Sequence, residues 1–86
     1  MTGRRCKEEI IAQILDICLE DTNKTKIADV TGMNFQSMNE YLDLLTKSGL
    51  LEVRTGIQCI YRTTKKGIRI LEHLKTVREM MQKQMR

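Results

Sequence analysis

Four cations crowd one stretch of the sequence: Arg54, Arg62, Lys65 and Lys66. Guanidinium and ammonium groups clustered in this way suit phosphate oxygens, which they contact with little regard for base sequence. Lys24 and Lys26 form a second basic pair, and Arg4, Arg5 and Lys7 a third near the N-terminus. Gln36 and Asn39 carry amides that can make paired hydrogen bonds to an adenine edge, and Ser37 can reach a phosphate or a base. The chemistry available is therefore contact with double-stranded DNA, through phosphates at the cations and base edges at the amides.

The charge distribution supports an anionic partner for the second half. Of 86 residues, 1–53 carry six Lys/Arg and nine Asp/Glu, net −3, whereas 54–86 carry nine and two, net +7. Catalytic constellations are missing from the sequence. The single His73 has no candidate nucleophile nearby, no glycine-rich phosphate loop appears, and no carboxylate pair stands out. A chain this short also leaves little room for a substrate pocket. The expectation is a binding protein, not an enzyme, with no cofactor and no small-molecule substrate. Cys6, Cys18 and Cys59 are odd in number and lack zinc-knuckle spacing, so they are expected to be reduced thiols and no metal site is expected. No apolar stretch is long enough to span a bilayer, and the N-terminus lacks a signal-peptide block. These features predict a cytoplasmic protein.

The elements that must hold these groups are written in the apolar spacing. Ile10, Ile11, Ile14, Leu15, Cys18 and Leu19 recur at helical intervals, predicting a first helix over Arg4 to Glu20. Asp21-Thr22-Asn23-Lys24 breaks that pattern and offers N-capping side chains for a short helix over Thr25 to Val30. Thr31-Gly32 ends it. Asn34 then caps a third helix, Phe35 to Ser48, with Met38, Tyr41, Leu42 and Leu45 on one face and Gly49 just past its end. Phe35 is expected in the core or as a staple. Leu50 to Arg54 and Ile57 to Thr63 read as two strands around a Thr55-Gly56 turn. Thr64 caps a last helix from Lys65 to near Arg86.

Two short helices joined by a glycine-containing turn and followed by a hairpin make a helix-turn-helix with a wing. The expected fold is mostly α with a small β-hairpin (α+β), a winged helix-turn-helix with a long C-terminal helix. Residues 1–67 would be the winged domain and 68–86 a dimerisation helix continuous with it. Ile70, Leu74, Val77, Met81 and Gln84 follow a four-three-four-three spacing, which is a coiled-coil seam. A helix leaving so small a domain could not bury that stripe alone, which predicts a symmetric homodimer.

The sequence resembles the archaeal winged-helix family of small DNA-binding proteins that dimerise through a C-terminal antiparallel coiled coil. Its residues Tyr41-Leu42-Asp43-Leu44-Leu45, Lys47-Ser48-Gly49-Leu50-Leu51-Glu52 and Tyr61-Arg62-Thr63-Thr64-Lys65-Lys66-Gly67 carry the resemblance. Ile10-Ile11-Ala12-Gln13-Ile14-Leu15 and Thr25-Lys26-Ile27 match as well. The resemblance implies a third helix in the major groove and a wing on the backbone or minor groove. It also implies Lys or Arg on the exposed face of that helix, where this chain has Glu40 and Asp43. Two functions remain open on these grounds. One is a dimeric transcription regulator or chromatin-type binder, with Gln36, Ser37, Asn39, Lys24, Lys26, Arg54, Arg62, Lys65 and Lys66 on DNA. The other is a winged-helix protein-protein interaction module, which the acidic pair Glu40 and Asp43 favours.

Overall fold

Aliphatic side chains at helical spacing must be covered, and among the described residues four helices and one hairpin accomplish this around a single core. The computed structural model describes residues 7–84, with side chains described as far as Val77. The elements are α1 (Lys7–Ile17), α2 (Lys24–Thr31), α3 (Phe35–Lys47), β1 (Leu51–Arg54), β2 (Ile60–Thr63) and α4 (Lys65–Gln84). This is the expected α+β winged-helix order. The expected first-helix start at Arg4 lies outside the described residues.

Ile14, Leu15, Ile27, Met38, Leu42 and Leu45 are fully buried, together with Cys18. Each large aliphatic among them contributes roughly 1.5–3 kcal/mol by leaving water. Leu51, Tyr61 and Leu71 bring β1, β2 and α4 onto the same core. Burial pushes the Cys18 thiol from its ordinary 9.0 up to about 12. Cys59 is free and half-buried against the core.

The two strands pair antiparallel, with Leu51 opposite Thr63, Glu52 opposite Arg62, Val53 opposite Tyr61 and Arg54 opposite Ile60. Alternation along the strands then puts Leu51, Val53, Tyr61 and Thr63 on one face and Glu52, Arg54, Ile60 and Arg62 on the other. The segment between α1 and α2 docks on the free edge of β2. Thr22 N–H donates to the Tyr61 carbonyl at 3.1 Å, and Tyr61 N–H donates to the Thr22 carbonyl at 2.7 Å. Thr63 N–H reaches the Cys18 carbonyl at 2.8 Å, and its hydroxyl donates to the Leu15 carbonyl at 2.8 Å. The edge of the hairpin is thus covered by backbone from elsewhere in the chain. Thr22 is the exception in this junction, because its buried hydroxyl has no hydrogen-bond partner among the described residues.

Gly67 roots the hairpin on α4. A Cβ at this position would lie 2.2 Å from the Leu50 carbonyl oxygen and 2.6 Å from the Thr63 methyl, so only glycine lets the first turn of α4 pass. Thr64 caps that helix, its hydroxyl accepting from Gly67 N–H at 3.1 Å.

Several expected boundaries move. The return strand begins at Ile60, not Ile57, so the wing turn spans 55–59. Ile57 is fully exposed and finds nothing to pack against. The first helix stops at Ile17, where Leu19 N–H bonds to the Asp16 carbonyl and the chain turns towards β2. The second helix gains a residue at each end, because Asn23 provides its cap. Phe35 is 53% exposed, since Met38 is the first side chain of α3 to reach the core.

Candidate nucleic-acid interface

Capping chemistry sets the angle between the two helices that would meet DNA. Asn23 accepts from Lys26 N–H at 2.9 Å and starts α2. Gly32, at φ 72°, closes it in the left-handed region that a side chain would strain. Asn34 accepts from Ser37 N–H at 2.8 Å and starts α3 two residues later. Gln36 and Asn39 are exposed, while Ser37 is half-buried beside the cap.

Asn39 shares a groove of about 310 Å³ with Lys24, Asp43, Thr46, Val53 and Tyr61. The groove therefore joins α2, α3, β1 and β2, and it brings one expected phosphate ligand, Lys24, to one expected base reader, Asn39. Asp43 is paired with Lys47 at 3.1 Å, an i,i+4 pair that offsets its charge locally. Glu40 forms no ion pair among the described residues. The exposed face of α3 is thus weakly acidic and rich in amides.

The wing is different. Arg54 and Arg62 extend from the solvent face of the hairpin, and both meet Asp21, which precedes the bridging Thr22. Asp21 Oδ2 accepts from Arg54 Nη2, and Oδ1 lies 3.7 Å from Arg62 Nη1. Asn23 Nδ2 donates to Gln58 Oε1 at 3.4 Å, so the same loop also touches the wing turn. Lys66 Nζ donates to the Ser48 carbonyl at 3.3 Å, which sets a cation at the C-terminal end of α3. Lys24, Lys26 and Lys65 have no ion-pair partner among the described residues.

The expected site residues therefore fall into three groups. Lys24 and Asn39 share a groove, Arg54 and Arg62 are joined through one carboxylate, and Lys65 and Lys66 open α4. Gln36 and Lys26 make no side-chain hydrogen bond or ion pair to these groups among the described residues. Asp21 was not visible as a site residue from the sequence, since it lies 33 residues from Arg54 and its loop reads only as a capping segment. The register of the strands, which puts both arginines on one face, is the signal that would have exposed it.

Along α4, Leu71 is buried against the core and Leu74 is half-buried against it, while Ile70 and Val77 are 37% and 38% exposed. Lys75 pairs with Asp16 of α1 at 3.3 Å. Of the expected seam, the side chains of Met81 and Gln84 lie outside the described residues. No helix among the described residues is long and apolar enough to cross a membrane.

Residues 4–82 match the family model for a winged helix-turn-helix. Among solved structures, the chain is similar to Sso10a-2, a DNA-binding protein from Sulfolobus solfataricus, at 29% identity and a TM-score of 0.87. That match covers 92% of this chain and 84% of the other. A second is the homodimeric winged helix-turn-helix DNA-binding domain Mb0332 (fragment 1–100) from Mycobacterium bovis, at 23% identity and a TM-score of 0.68. It covers 92% of this chain and 91% of that one, and it supports the fold alone. No curated protein matches the chain.

Proposed function

Because the chain belongs to the winged helix-turn-helix family, we propose that it binds double-stranded DNA as a homodimer and acts in transcription regulation or as a chromatin-type binder. The observation that carries this reading is the pair Arg54 and Arg62 on the solvent face of the wing, with a groove holding Lys24 and Asn39 against the hairpin's other face. Wing arginines and Lys65 and Lys66 would hold phosphates, and Gln36, Ser37 and Asn39 would meet base edges. Lys24 and Lys26 would reach the backbone flanking α3. The similarity to Sso10a-2, itself a DNA-binding protein, supports the same partner. The protein acts by binding in the cytoplasm, with no catalytic step and no cofactor.

Self-association follows from α4. Ile70 and Val77 remain partly exposed on a helix that gives Leu71 and Leu74 to the core, and a second copy would cover them. Residues 68–86 would form the dimerisation element, with Leu74 shared between core and seam.

A protein-interaction module is the second reading. Leu44 on α3 is 52% exposed one turn from Glu40, which forms no ion pair among the described residues, and this surface is suited to a protein partner. Fluorescence anisotropy with two unrelated labelled duplexes across a salt series separates the two. The DNA reading expects affinity that falls linearly in log-log form with salt. Failure to bind either duplex at low salt would leave the interaction module. Sedimentation equilibrium tests the dimer, and a monomer at all concentrations would remove it.

A further inference from the structure

We infer that Asp21 competes with DNA phosphate for the two wing arginines, and so sets how tightly and how salt-sensitively the wing binds. The inference rests on the reading that the wing meets DNA. Three observations converge on it. Strand register sets Arg54 and Arg62 on the same face of the hairpin, one on each strand. The backbone of the next residue, Thr22, is fixed to β2 by two hydrogen bonds, so Asp21 is held at the wing and cannot drift from it. Each carboxylate oxygen of Asp21 faces a different guanidinium.

A carboxylate with two anionic oxygens against two guanidiniums offers what a phosphate would offer. The side chains of Arg54, Arg62 and Asp21 are 65%, 58% and 42% exposed, so a phosphate can reach all three. Exposed pairs of this kind are weak and screened. A polyanion can therefore displace Asp21, but the displaced carboxylate stays tethered close to the incoming phosphate and opposes it. Glu52 lies on the same face, directly opposite Arg62, yet forms no ion pair among the described residues. Asp21 is thus the carboxylate that holds the wing cations. A buttress that merely aligned the arginines would have the opposite consequence, because losing it would weaken binding.

Anisotropy titrations of one labelled duplex across a salt series decide between them. They compare the unaltered protein, Asp21→Asn, Arg54→Gln with Arg62→Gln, and the combination of all three. Asparagine keeps the size of the side chain and one accepting oxygen, and removes the charge. Asp21→Asn is expected to tighten binding roughly threefold to tenfold at low salt. It is also expected to steepen the slope of log affinity against log salt, by up to about one. Both changes should vanish when the arginines are glutamine. Unchanged or weakened binding by Asp21→Asn overturns the inference, as does a gain that persists without the arginines. If neither the unaltered protein nor Asp21→Asn binds DNA at low salt, the DNA reading fails and the inference with it. Binding by the unaltered protein with no change in Asp21→Asn removes the inference alone.

Discussion

Helix α3 and the wing differ in how they present polar groups. On α3 the one acidic residue with an ion pair among the described residues, Asp43, is answered by Lys47 one turn away. Its amides, Gln36 and Asn39, stand exposed. On the wing the cations are answered from a distant loop, and the hairpin is braced along β2 by backbone from before α2. A helix surface can be understood from its own sequence, whereas a hairpin surface depends on what docks against it. In the proposed division of labour, the wing supplies affinity and α3 supplies discrimination.

The largest expected effect breaks that division at the wing. Arg54→Glu combined with Arg62→Glu should weaken binding to any duplex by at least about a hundredfold and flatten the salt slope, as measured by anisotropy. Equal affinity for the double variant would take the wing out of the interface. Gly67→Ala tests the wing's root rather than its charge. The Leu50 carbonyl and Thr63 would have to move, and urea unfolding should show a loss of roughly 1–3 kcal/mol.

On α3 the effect should be smaller and selective. Asn39→Ala should cost about tenfold on a preferred site and little on a random duplex. An equal loss on both would make Asn39 a backbone contact. The brace itself gives the smallest changes. Thr22→Val replaces a buried, unpartnered hydroxyl and should stabilise the fold by up to about 1 kcal/mol without altering DNA affinity. Alkaline pH acts at the same junction. The Cys18 pKa is raised in the fold, so the stability it supports is complete below its ordinary 9.0 and is lost as pH rises towards about 12. Tyr61 shifts in the same direction, by burial first and then by Cys59 and Cys18. Cys18→Ala should lose less stability than the unaltered protein between pH 9 and 11, measured by thermal melts.

Much of the fold was legible because its signals are local. Met38, Leu42 and Leu45 announce the core face of α3, and Asn23, Gly32 and Asn34 mark its turn with groups that act within three residues. The extent of the wing was not, because Ile57, Cys59 and Tyr61 alternate as a strand would. Alternation counts only where a partner face exists, and Ile57 has none. The end of α1 misled for the reverse reason, since Cys18 is apolar and buried but serves the core from a turn. Within the candidate site, residue types pointed to Arg54 and Arg62 but could not show their shared carboxylate. Counting cations overstated the free positive charge of the wing.

The bridge between Thr22 and Tyr61 also fixes where this chain can tolerate change in length. Register is held at the far edge of β2 and at Gly67, so neither depends on the geometry of residues 55–59. Doubling such a loop costs only about 0.6 kcal/mol of closure entropy. The tip can therefore lengthen, shorten or change composition while the root stays in place. Insertions between Cys18 and Asn23 would instead unlatch the hairpin. Reach at the tip is thus separable from stability at the base, leaving one end of the wing open to variation.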